Sequence, residues 1–80
     1  MIIKKSKEFE KSFDKLDNSL KIKAVKLVEK IILNPNIGKP MRYNRKNSRE
    51  LYLKPFRVSY CIYEKECVLL FLEIYHKKKQ

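Results

Sequence analysis

The apolar positions in the first half of the chain recur with a helical period. Phe9, Phe13, Leu16 and Leu20 follow at steps of four, three and four, which places them on one helix face. Ser6 supplies an N-cap oxygen before this run, and Glu8 sets a carboxylate in the first turn. Asp17-Asn18-Ser19 breaks the pattern and offers Asp17 or Asn18 as a second cap. A second helix is predicted from about Leu20 to Leu33. Its main stripe is Ile22, Val25, Val28, Glu29 and Ile32, with Ala24, Leu27 and Ile31 beside it. Lys21, Lys23, Lys26 and Lys30 line the other side, and Asn34-Pro35 closes the helix.

The period then changes to two. Arg49–Lys54 alternates, with Leu51 and Leu53 on one face and Tyr52 and Lys54 on the other. Pro55 ends or bends that strand. In Phe56–Glu64, Phe56, Val58, Tyr60 and Ile62 share one face, and Arg57, Ser59, Cys61 and Tyr63 share the other. Glu64-Lys65-Glu66 reads as a hairpin turn. Cys67–His76 is almost wholly apolar up to Glu73, which predicts the central, best-buried strand. Met1–Lys5 is short and extended, and the polar stretch Asn36–Asn47 reads as a loop. The predicted order is β-α-α-β-β-β. This is an α+β fold: an N-terminal strand and an α-hairpin packed on one face of a small, mainly antiparallel sheet.

Eighty residues predict one domain, spanning 1–80. With 44% hydrophobic and 36% charged residues, the composition is that of a globular chain with a thin core. No apolar leader follows Met1, and no run reaches the length of a membrane-spanning helix, so a cytoplasmic location is expected. Cys61 and Cys67 are then expected as reduced core thiols. No CxxC motif or Cys/His cluster is present, so neither a metal nor another cofactor is expected.

Charge changes the picture most. The formal net charge is +11. Residues 1–38 carry +4 and residues 39–80 carry +7, and all four arginines fall between Arg42 and Arg57. Clustered guanidinium groups match phosphate geometry better than scattered lysines do. The excess therefore points to a polyanion, RNA foremost. A hairpin about residues 64–66 brings Arg57 near the end of the last strand. One site is expected to gather Arg49, Lys54, Arg57, His76, Lys77 and Lys78, with Tyr52 and Tyr75 as stacking or proton-handling groups. Lys39, Arg42, Arg45 and Lys46 of the preceding loop are expected to hold RNA. Such a site suits cleavage by the RNA 2′-hydroxyl without a metal. Arg57 and Lys77 would stabilise the pentacoordinate phosphate, and His76 would move a proton.

Several motifs in this order resemble one known family. They are Phe9-x3-Phe13-x2-Leu16, Asn34-Pro35, Gly38-Lys39-Pro40, Arg49-Glu50-Leu51-Tyr52-Leu53, Phe56-Arg57-Val58-Ser59-Tyr60 and Leu72-Glu73-Ile74-Tyr75-His76-Lys77. Over nearly the whole chain, the pattern resembles the RelE/ParE toxin superfamily. The resemblance implies the toxin of a type II toxin–antitoxin module, a ribosome-dependent mRNA endoribonuclease acting in the 30S A site without a metal. It implies an acidic antitoxin as partner. It matches the family's central-strand arginine to Arg57 and its terminal basic residues to His76, Lys77 and Lys78. Met41 stands where some members carry a carboxylate, Lys77 where many carry arginine, and the sequence ends at Gln80 without their terminal tyrosine. Two alternatives follow from the same resemblance. One is a ParE-like inhibitor of DNA gyrase that cuts nothing, and the other a catalytically weak RNA-binding member.

Overall fold

In the computed structural model, residues 1–41 and 47–76 are described. The chain begins with β1 (Ile2–Lys5), followed by α1 (Lys7–Asp14) and α2 (Asn18–Leu33). A 3-10 turn at Pro35–Ile37 leads into a short strand, β2 (Lys39–Pro40). Three longer strands complete the sheet: β3 (Ser48–Leu53), β4 (Phe56–Tyr63) and β5 (Val68–His76). The strand order is β1-β5-β4-β3-β2. β1 runs parallel to β5, and the other pairs are antiparallel. The α+β class and the α-hairpin on a mainly antiparallel sheet are as expected.

Capping starts both helices where polar side chains precede apolar runs. Ser6 Oγ accepts from the Phe9 amide at 3.0 Å and donates to the Leu72 carbonyl at 2.5 Å. One hydroxyl thus caps α1 and ties it to β5. Asp17 caps α2, accepting from the Leu20 amide at 2.8 Å, so the helix begins two residues earlier than the apolar pattern suggested. Ser12 Oγ of α1 accepts from the Ile74 amide at 3.0 Å. That bond covers part of β5 beyond the reach of β1, which pairs only with Val68–Phe71.

The core lies between the helices and one face of the sheet. Val58, Tyr60, Leu69, Phe71, Ala24 and Ile31 are fully buried there. The Phe71 ring lies 5.4 Å from Phe9 and 6.0 Å from Tyr60. Phe13, Leu20, Leu27 and Val28 pack around this centre.

Four expectations need correction. β4, not β5, is the central strand, because β1 adds beyond β5 and β2 adds beyond β3. The stretch Asn36–Asn47 is not all loop: Lys39 and Pro40 pair with Glu50 and Arg49. The buried stripe of α2 is the Ala24–Ile31 side, whereas Ile22, Val25 and Ile32 are exposed. An amphipathic helix with apolar residues over so wide an arc does not show in its sequence which edge meets the sheet. Cys61 is buried, but Cys67 is exposed in the β4–β5 turn with a positive φ of 56°. No described helix is long and apolar enough to cross a membrane.

Candidate functional site

Alternation along the strands sorts the side chains onto two faces. Val58 and Tyr60 face the helices, so Arg57 and Ser59 face away from them. Two residues, Lys54 and Pro55, join β3 to β4, so Leu53 pairs with Phe56 and Tyr52 with Arg57. Arg57 in turn pairs with Tyr75 on β5. The central strand therefore presents Arg57 on the open face between two tyrosine-bearing neighbours.

A bulge keeps Tyr75 there. Ser59 pairs with Glu73 while Tyr60 pairs with Phe71, leaving Leu72 as the extra residue. Phe71 and Ile74 can then both face the core although they are three residues apart. Glu73 and Tyr75 return to the open face in step with Ser59 and Arg57.

Glu50 joins the cluster from β3. Arg57 Nη1 donates to Glu50 Oε1 at 2.8 Å, and the Tyr75 hydroxyl donates to Glu50 Oε2 at 2.5 Å. One carboxylate thus bridges a guanidinium and a phenol. Lys39 is the strand partner of Glu50 and lies on the same face. Tyr52 is half exposed beside Arg57, which suits a ring that stacks on a base. Glu50 was not among the expected site residues. Its true partner was legible in the register: a two-residue turn at 54–55 brings Glu50 diagonally across from Arg57 on one face.

Other expected members lie elsewhere. Arg49 is on the helix-covered face, opposite Tyr60. Its Nη1 donates to the Gly38 carbonyl at 2.7 Å and to the Asn36 carbonyl at 3.3 Å. Tyr60 works on the same segment: its hydroxyl accepts from the Gly38 amide at 2.9 Å and donates to the Pro35 carbonyl at 2.7 Å. Burial raises the Tyr60 pKa above its ordinary value, outweighing the Gly38 amide and the Arg49 charge, which both lower it. Gly38 is needed here for closeness rather than for backbone freedom. A Cβ at that position would lie 2.5 Å from the Tyr60 hydroxyl oxygen and 2.8 Å from the Glu50 carbonyl oxygen. Arg49 and Tyr60 therefore moor the strand that carries Lys39, and Arg49 does not join Arg57.

His76 pairs with Phe56, and the two rings meet edge to face at 5.5 Å. That puts His76 in phase with Ile74, on the side of the sheet opposite Arg57 and Tyr75. The expected gathering of His76 with Arg57 on one face is therefore not formed. Lys54 is exposed in the β3–β4 turn. Arg42, Arg45, Lys46, Lys77 and Lys78 lie outside the described residues. Among the described residues no group of His, Cys, Asp and Glu side chains is arranged to hold a metal ion.

No protein-family model matches the sequence, and no curated protein matches it. Solved structures do. The chain resembles one from the intact E. coli RelBE toxin–antitoxin complex, with a TM-score of 0.81, 13% identity and 94% of each chain covered. It resembles a chain of the Mycobacterium tuberculosis RelBE2 toxin–antitoxin complex at TM-score 0.82 and 17% identity, covering 95% of this chain and 96% of that one. The YoeB/ParE toxin from Agrobacterium tumefaciens gives TM-score 0.82 at 12% identity, covering 95% and 98%. The strand order, the α-hairpin on one face and these end-to-end superpositions agree: the chain has the RelE/ParE-like toxin fold.

Proposed function

We propose that this chain is the toxin of a type II toxin–antitoxin module and cuts mRNA in the ribosomal A site without a metal, under control of an acidic antitoxin. The observation that carries the reading is the open-face cluster of Arg57, Glu50, Tyr75 and Tyr52 at the centre of a sheet in a chain of net charge +11. Arg57 would stabilise the charge that builds on the pentacoordinate phosphate. Tyr75 and Glu50 are the proton-handling groups that share the Arg57 cluster, the carboxylate to accept a 2′-hydroxyl proton and the phenol to supply one. Tyr52 would stack on a base, and Lys39 would hold a neighbouring phosphate. Lys77 and Lys78 follow β5 in sequence and are assigned to phosphate as well, as are Arg42, Arg45 and Lys46. Lys54 is assigned to the rim. Arg49 and His76 take supporting roles on the other face.

The test is induced expression of wild-type and Arg57→Ala chains, with growth and mRNA 5′ ends followed together. Cleaved mRNA and growth arrest with the wild type, both lost in a folded Arg57→Ala chain, are the expected results. Full toxicity of Arg57→Ala would remove the cluster from the mechanism. A second reading, a ParE-like inhibitor of DNA gyrase, is favoured by one feature: Glu50 already neutralises Arg57 in the free chain. Growth arrest with intact mRNA, together with inhibited supercoiling by purified gyrase, would select it.

A further inference from the structure

The charge pattern predicts unopposed cations at the sheet centre, yet the centre holds a neutral pair. Arg57 and Glu50 meet at 2.8 Å, and their side chains are only 24% and 18% exposed. Both Glu50 oxygens are engaged, one by Arg57 and one by Tyr75. A pair so shielded is less weakened by dissolved salt than an exposed one.

We propose that Glu50 occupies the place on Arg57 that a phosphate must take, and so gates entry of anions to the open face. The inference rests on the RNA reading above and deepens it. Carboxylate and phosphate compete for the same guanidinium, whose Nη1 Glu50 already takes. They do not share it closely without like-charge repulsion. A lone phosphate exchanges one anion for another and gains little. A strand with several phosphates adds contacts, and Lys39, the β2 partner of Glu50, stands on the same face to supply one. The gate therefore selects single-stranded RNA over free phosphate. Tyr75 holds the second oxygen of Glu50, so the displaced carboxylate stays beside the reacting centre.

The probe is a single-stranded RNA of about six nucleotides, enough to cross one small sheet face. It carries 2′-O-methyl groups so that it binds without being cut. Affinity is read by fluorescence anisotropy over a range of salt, with thermal unfolding of every variant as a folding control. Glu50→Gln should bind about tenfold tighter, the scale of one charge-assisted hydrogen bond no longer broken. Its salt dependence should steepen by about 0.7 in log–log slope, because Arg57 then meets its phosphate as a net cation rather than exchanging one anion for another. Glu73→Gln removes the same charge from the same face, opposite Ser59, and should change affinity far less. In an Arg57→Ala background the gain from Glu50→Gln should vanish.

No tightening by Glu50→Gln, or equal tightening by Glu73→Gln, overturns the gate while leaving the RNA site standing. RNA binding untouched by Arg57→Ala overturns the RNA reading itself. One measurement needs no change at Glu50: wild-type and Arg57→Ala chains should bind inorganic phosphate equally weakly. Phosphate binding that depends on Arg57 would show that nothing blocks it.

Discussion

The two faces of the sheet use the same strands for opposite ends. Residues facing the helices are apolar or fully satisfied, and those on the open face keep polar groups near one another. Arg49 and Arg57 show the contrast best. They lie on adjacent strands, eight positions apart, and the sequence treated them alike. Arg49 spends its Nη1 on backbone carbonyls of the Asn36–Gly38 segment, while Arg57 meets a carboxylate beside two phenols. An arginine bound to fixed carbonyls supports a chain segment. One bound to a movable side chain can exchange partners. The lesson is that residue type does not assign a role to a cation; the mobility of what it binds does.

If that contrast holds, open-face changes move activity and covered-face changes move stability. Arg57→Ala should reduce RNA cleavage by about a hundredfold or more, the scale of losing a preorganised charge at the reacting phosphate. Its stability should fall by only about 1–2 kcal/mol, since one charge-assisted hydrogen bond is lost while Tyr75 still holds Glu50. A large drop in stability with retained cleavage would reverse the assignment of the faces.

Phe71→Ala should do the opposite. It removes a fully buried ring packed against Phe9 and Tyr60, at a cost of about 3–5 kcal/mol in chemical denaturation. Tyr60→Phe leaves the Gly38 amide and the Pro35 carbonyl without their partner and should cost about 1–3 kcal/mol. It also has a pH signature. The folded-state pKa of Tyr60 is raised, so the stabilisation tied to the neutral phenol is complete below about pH 10. That stabilisation is lost as pH rises through the folded value. Wild-type stability should fall in that range, and the fall should be shallower in Tyr60→Phe. An unchanged slope would remove Tyr60 as its source.

Arg49→Ala should have the smallest effect of these, about 1–2 kcal/mol for its bonds to backbone carbonyls, with RNA cleavage reduced only modestly. Cleavage lost as fully as in Arg57→Ala would return Arg49 to the catalytic group.

Much of the fold was legible. The helical step from Phe9 to Phe13, the caps at Ser6 and Asp17, and the alternation around Arg57 all appear in the structure, while Leu16 and Leu20 fall beyond the end of α1. The spread of apolar residues around α2 hid its buried edge, because Ile22 and Ala24 look equally suited to a core until a sheet is set against one side. The apolar run from Val68 hid the bulge at Leu72, since a strand with few polar residues carries no phase marker. His76 was lost from the site for that reason. Its face depends on the register after the bulge, which places it with Phe56 rather than with Arg57.

By itself, the sequence determined the element types, the basic excess and the presence of Arg57 on the helix-free face, because periodicity, capping and charge are local properties of the chain. Only the tertiary structure decided which strand is central, that Lys39 belongs to a sheet, and that Arg57 is held by Glu50, itself held by Tyr75. Those depend on register between strands distant in sequence. A shift of one residue there exchanges every neighbour a side chain has.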